Sequence, residues 1–151
     1  MKLKQLIGIF FAAFATTQTV TLAYQTPKEP SAPARTDQTQ KVEFIAAEEL
    51  KKRIANKNPV TIVDVRGQTA YLQSEKIVQG AMHSQVRRVV HRLREVPRES
   101  EVVTYCACPA DEAAIIAARS LMTSGFKNVR VLKGGWNAWL EAGGQLQPSP
   151  K

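Results

Sequence analysis

Residues 102–112, Val-Val-Thr-Tyr-Cys-Ala-Cys-Pro-Ala-Asp-Glu, hold both cysteines of the chain and decide how its fold is read. The β-branched and apolar run 102–105 predicts a strand buried on both faces, as in a parallel sheet. Cys106 falls where that strand ends, and Cys108 follows two residues later. Pro109 interrupts the backbone, Asp111 and Glu112 supply carboxylates suited to a helix start, and an Ala/Ile-rich helical stretch follows. A loop from the carboxyl end of a strand to a helix N-terminus is where open α/β sheets carry their chemistry. The amides of such a helix start stabilise a thiolate or hold an anion. The segment therefore points to a cysteine nucleophile.

Outward from this loop, helices and strands alternate. Residues 46–56 are rich in helix formers, with Glu48 and Glu49 early and Lys51 to Arg53 late, matching the helix dipole. Residues 60–65 (VTIVDV) predict a central strand with Asp64 and Arg66 at its carboxyl end. Residues 71–80 read as polar and irregular. Val86, Val89, Val90 and Leu93 recur at helical spacing, predicting an amphipathic helix over 85–95 with arginines on its outer face. A helix over 112–124 ends at Gly125, a strand covers 129–132, and a helix over 136–142 follows the Gly134-Gly135 turn. This alternation predicts an α/β fold, a central parallel sheet with right-handed crossovers and helices on both faces. No internal repeat is evident.

The N-terminus has a separate character. Lys2 and Lys4 precede an apolar run of about ten residues, and Thr21-Leu22-Ala23 offers small residues for cleavage. Residues 1–23 therefore read as a secretory signal, and the run is short for a span of about 20 apolar residues. An uncleaved membrane anchor is the alternative, and otherwise the mature protein is periplasmic or secreted. Residues 24–41 are Pro-, Thr- and Gln-rich with little apolar bulk and read as a flexible linker. The folded domain is expected over 42–146, with 147–151 as a C-terminal tail. The formal charge is +8 over 151 residues, lowered by two if Lys2 and Lys4 leave with the signal. Arg87, Arg88, Arg92, Arg94 and Arg98 carry much of it. An exported chain without aromatic interleaving points away from nucleic acid, and a positive field draws small anions.

A disulfide between Cys106 and Cys108 would close a small, strained ring, so the pair reads as reactive rather than as a staple. His83 and His91 lack zinc-ligand spacing relative to the cysteines and read as surface residues, so no metal is expected. Arg119 lies 13 residues after Cys106 and 11 after Cys108, outside the Cys-x5-Arg spacing of a cysteine phosphatase.

Four segments, IVDVR (62–66), IVQGA (77–81), VTYC (103–106) and NVRVLKGGW (128–136) with Ala138-Trp139, occur in an order that resembles a single rhodanese domain. The resemblance covers about residues 44–144. It implies a cysteine on the loop after the central strand that takes a sulfane sulfur from an anionic donor such as thiosulfate. The persulfide then passes sulfur to a thiol or other thiophilic acceptor, with no cofactor. It also implies that residues 107–112 (Ala107, Pro109, Ala110, Asp111 and Glu112 around Cys108) form the substrate-binding loop. Asp64 and Arg66 match the family's Asp-x-Arg, which holds loops together, and Gly134, Gly135 and Trp136 match turn and packing residues. The family's common loop reads Cys-x-x-Gly-x-Arg-Ser. This chain carries two carboxylates there and no arginine, a charge pattern that opposes an anionic donor. Its Cys-x-Cys-Pro loop resembles a variant subgroup. Counting forward from the strand puts Cys106 in the nucleophile position, and counting back from Gly125 puts Cys108 there; the strand end favours Cys106. A thiol–disulfide sensor built on the Cys-x-Cys pair, or an inactive binding module, are the competing functions.

Overall fold

The computed structural model describes residues 41–150, so the signal and almost all of the linker read at residues 1–40 lie outside the described residues. The chain runs β1 (Glu43–Ile45), α1 (Ala47–Ala55), β2 (Thr61–Asp64), α2 (Gln68–Ser74), β3 (Lys76–Val78) and β4 (Ala81–His83). A 3₁₀ turn (Val86–Arg88) leads into α3 (Val89–Arg92), then β5 (Glu101–Tyr105). A second 3₁₀ turn (Pro109–Asp111) precedes α4 (Glu112–Thr123), β6 (Asn128–Leu132), α5 (Gly135–Glu141) and β7 (Leu146–Pro148). Five strands form one parallel sheet in the order β1-β6-β5-β2-β4, while β3 and β7 make a separate antiparallel pair.

The centre of the sheet is apolar on both faces because two cores meet across it. Along β5, Val102 packs with Val63, Ala117, Leu121 and Val131 on the α3/α4 face. Val103 and Tyr105 pack with Leu50, Ile62, Leu132 and Trp139 on the α1/α5 face. Successive side chains of a strand alternate between faces, and each finds apolar partners. The expected α/β architecture with a central parallel sheet and flanking helices is the one observed.

Three expectations shift. The amphipathic segment 85–95 becomes a 3₁₀ turn and a single α turn: Val89 and Leu93 are buried as the spacing predicts, but clustered β-branched valines resist a longer helix. Of residues 71–80, read as irregular, 71–74 belong to α2 and 76–78 to β3; Glu75 closes α2 in a left-handed conformation (φ 50). The tail expected from 147 contributes Gln147 and Pro148 to β7. Beyond that strand, Ser149 N–H donates to the Glu75 carbonyl at 2.8 Å, and the Tyr71 hydroxyl donates to the Pro150 carbonyl at 2.8 Å.

Candidate active site

β5 delivers Cys106 and its loop to the carboxyl end of the sheet, where α4 begins. The Thr104 hydroxyl donates to the Ala114 carbonyl (3.0 Å), pinning the first turn of α4 to the strand. Cys106 is 1% exposed, and its carbonyl accepts the Trp136 N–H at 2.8 Å. Cys108 is half-buried, and its Sγ accepts the Ala113 N–H of the α4 start at 3.4 Å. Both thiols are free. Burial pushes the Cys106 thiol up to about 11; a side-chain hydrogen bond with Cys108 adds to the rise, and the N–H groups of Cys108 and Ala114 oppose it.

Between Cys108 and α4 the backbone bends through two successive left-handed residues, Ala110 (φ 55, ψ 18) and Asp111 (φ 55, ψ 25). Non-glycine residues adopt this region at a cost of roughly 1–2 kcal/mol each. Here one stabilising contact is evident: Asp111 is nearly buried, and its Oδ2 accepts the Gly134 N–H at 2.8 Å. The carboxylate is thereby tied to the β6–α5 turn. Gly135 allows that turn to close on the loop. Its φ is +50, and a Cβ there would lie 2.2 Å from the Cys106 carbonyl oxygen and 3.2 Å from Asp111 Oδ1.

The result is an open cleft of about 450 Å³. Residues 107–111 form one wall, and Lys133, Gly134 and Asn137 form the other. Of the residues read from sequence, Cys108, Ala107, Pro109, Ala110 and Asp111 come together here. Cys106 lies beneath the wall, and Glu112 is exposed at the α4 start outside the lining. Lys133 and Asn137 were not singled out by sequence; the only signal was the Lys-Gly-Gly turn, which reads as packing until its opposite wall is known.

Asp64 and Arg66 lie one layer below, 0% and 2% exposed. Arg66 Nε and Nη2 donate to the Asp64 carboxylate at 2.9 and 2.6 Å. Arg66 also donates to Ser74 Oγ (2.8 Å) and the Lys76 carbonyl (2.9 Å). The Tyr105 hydroxyl donates to Asp64 Oδ2 at 2.9 Å and accepts the Val78 N–H at 3.2 Å. Burial and the Asp64 charge push the Tyr105 phenol well above its ordinary value. The guanidinium lies 4.1 Å from the Trp136 ring centroid, so the clamp supports the residue whose N–H holds the Cys106 carbonyl. His83, expected at the surface, is half-buried: its ring stacks on Tyr71 at 3.7 Å and meets the Arg66 carbonyl at 3.1 Å. His91 is exposed.

A larger cleft of about 910 Å³ opens at the opposite end of the sheet, among the first residues of β1, β2, β5 and β6. Most of the charges at this end are paired: Arg53 with Glu101 at 2.7 Å, Arg130 with Glu49 at 3.1 Å and with Glu101, and Lys127 with Glu99 at 2.8 Å. The pairing with Arg53 and Arg130 holds the exposed Glu49 carboxyl below its usual range. Among the described residues, no cysteine or histidine lines it, so the cysteine cleft is the better candidate despite its smaller size. Among the described residues, no group of three His, Cys, Asp or Glu side chains is placed to hold a metal, and no helix is long and apolar enough to cross a membrane.

Comparison with known proteins agrees with this geometry. Residues 46–142 match the rhodanese-like domain family. A sulfurtransferase from Allochromatium vinosum is 30% identical over 102 residues, covering 68% of this chain and 92% of that protein. The thiosulfate sulfurtransferase GlpE of Coxiella burnetii is 28% identical over 86 residues, covering 57% of this chain and 77% of that protein. Among solved structures, the Alr3790 protein from Anabaena superposes with a TM-score of 0.62 at 30% identity, over 69% of this chain and 81% of that one. A thiosulfate sulfurtransferase from Pseudomonas aeruginosa shares the fold, with a TM-score of 0.62 at 21% identity over 72% of this chain and 20% of its own. A cysteine loop at the carboxyl end of a parallel sheet, an Asp-x-Arg clamp beneath it, and a family match over 46–142 lead to one conclusion: the chain belongs to the rhodanese-like family.

Proposed function

We propose that this protein is a sulfurtransferase in which Cys108, rather than the Cys106 favoured by counting from the strand, carries the sulfur as a persulfide. The observation that carries the choice is the setting of Cys108: the residue lines the cleft, and its Sγ accepts the Ala113 amide at the start of α4. An amide and a helix N-terminus both favour a thiolate. Cys106 is buried, and its thiol is held protonated, so it is suited to donating a hydrogen bond to its neighbour. The backbone offers independent support. The glycine of the family loop stands three residues after the cysteine, which is Asp111 if Cys108 is the nucleophile and Pro109 if Cys106 is. Asp111 takes the left-handed conformation that suits glycine, whereas proline is locked at negative φ.

In the proposed reaction the Cys108 thiolate attacks the outer sulfur of thiosulfate. An S–S bond forms to Cys108, the S–S bond within thiosulfate breaks, and sulfite leaves with the electron pair. An acceptor thiolate then attacks the terminal sulfur of the persulfide, and the Cys108 thiolate departs. No external oxidant or reductant enters either step. Residues 1–23 add the proposal that this takes place outside the cytoplasm; an N-terminus at Met1 in the purified native protein would overturn cleavage of the signal.

Mass spectrometry after incubation with thiosulfate tests the assignment. We expect a gain of about 32 Da, one sulfur atom, in the wild type and in Cys106→Ser, and none in Cys108→Ser. Sulfur on Cys108→Ser but not on Cys106→Ser reverses the roles. A loss of about 2 Da without an adduct, the mass of a disulfide, favours the thiol–disulfide reading instead.

A further inference from the structure

Among the described residues, Lys133 supplies the one cationic side chain in the lining of the cysteine cleft. The loop residues opposite it carry no positive charge, and the Glu112 that follows them is acidic. The charge pattern read from sequence therefore opposes an anionic donor. Two features of the fold alter that balance. The Asp111 carboxylate is turned into the wall, where Oδ2 accepts the Gly134 amide and Oδ1 faces Gly135. Across the cleft, Lys133 is exposed and forms no salt bridge among the described residues. Its backbone is fixed, since its N–H donates to the Ile45 carbonyl at 3.0 Å. Asn137, in the first turn of α5, adds a neutral amide to the same wall. A lysine presents a compact charge with three donors on a flexible stem, suited to an oxyanion of variable position.

We infer that Lys133, assisted by Asn137, recognises the oxyanion end of the sulfur donor while Cys108 attacks its outer sulfur. The cation thus comes from the β6–α5 turn and not from the cysteine loop. The inference rests on the sulfur-transfer reading above and adds the residues that hold the donor's oxyanion end, Lys133 and Asn137 of the wall opposite the cysteine loop. Electrostatic recognition of this kind weakens with ionic strength.

The test separates donor recognition from thiolate reactivity. In Lys133→Gln we expect the KM for thiosulfate to rise about 10-fold, equivalent to about 1.4 kcal/mol of binding, with kcat changed less. Lys133→Arg should keep KM within about 3-fold of wild type, since the charge is retained. Alkylation of Cys108 by uncharged iodoacetamide should proceed at the wild-type rate in both variants. An unchanged thiosulfate KM in Lys133→Gln overturns the inference. So does an equal slowing of alkylation, which would make Lys133 an activator of the thiolate. If the wild type takes no sulfur from thiosulfate, the sulfur-transfer reading fails on its own. The inference is then decided by thiosulfate binding to Cys108→Ser, followed by NMR: weaker binding in Lys133→Gln/Cys108→Ser upholds it, and equal or absent binding overturns it.

Discussion

The two cysteines differ by a single intervening residue and by almost everything physical. Cys106 continues the line of β5 into the core, where its carbonyl is taken by Trp136 and its thiol is held protonated. Cys108 lies past the first bend, against the α4 start. The raised Cys106 value has a consequence for stability. An unfolded thiol titrates near 9 and the folded one near 11. Below pH 9 both states keep the proton and the full contribution is present. Between 9 and 11 the unfolded chain releases its proton first, so the contribution falls as pH rises and is lost once the folded thiol titrates. Guanidinium unfolding of wild type and Cys106→Ala at pH 8 and pH 10.5 reads this directly. The wild type should lose more stability over that interval than the variant, because other alkaline groups are common to both. Parallel losses would mean that burial of Cys106 does not set its titration.

At the scale of elements, the Asp64–Arg66 pair ties the end of β2 to the α2–β3 connection, to β5 through Tyr105, and to α5 through Trp136. Three further hydrogen-bonding groups, Ser74 Oγ, the Lys76 carbonyl and the Tyr105 hydroxyl, converge on these two buried charges, so removing one partner strands the other. Breaking such a pair typically costs about 3–5 kcal/mol, a large share of the roughly 5–15 kcal/mol that holds a domain folded. Arg66→Met should therefore lower the denaturation midpoint by an amount equivalent to at least about 3 kcal/mol. Asp64→Asn, which leaves the guanidinium without its counter-charge, should be of similar size. The Lys127–Glu99 pair, 2.8 Å long but with both side chains about two-thirds exposed, provides the contrast. Glu99→Gln should shift stability by less than about 1 kcal/mol. Equal effects of Arg66→Met and Glu99→Gln would sink the view that burial, and not pairing as such, makes the clamp structural.

At the scale of the whole molecule, what the sequence revealed and what it hid follow the range of the interactions. β2, β5 and β6 were legible because each carries an apolar run covered on both faces, and α4 because twelve residues of helix formers end at a glycine. The clamp was legible because Asp64 and Arg66 are two residues apart. The cleft was not: its far wall comes from Lys133 and Asn137, more than twenty residues downstream of Cys108. The bend that selects between the sulfurs uses Ala110 and Asp111, whose residue types do not advertise positive φ. β3 and β7 escaped for the same reason, since three residues show no period and their pairing spans most of the domain. That pairing makes the C-terminus structural. β7 covers a flank where Tyr71, Ile77 and Val78 are buried, and Gln147 Oε1 accepts the Gly80 N–H at 2.9 Å. A chain ending after Gln145 should therefore lose about 2 kcal/mol or more, on the order of 10 °C in Tm for a domain of this size. A chain ending after Ser149 loses mainly the Tyr71 hydroxyl bond to Pro150, worth about 1 kcal/mol. Thermal unfolding of the two truncations against the full chain should give a graded series, with the larger step on removal of β7. If both truncations unfold with the full chain, β7 is a tail and the domain ends at 146.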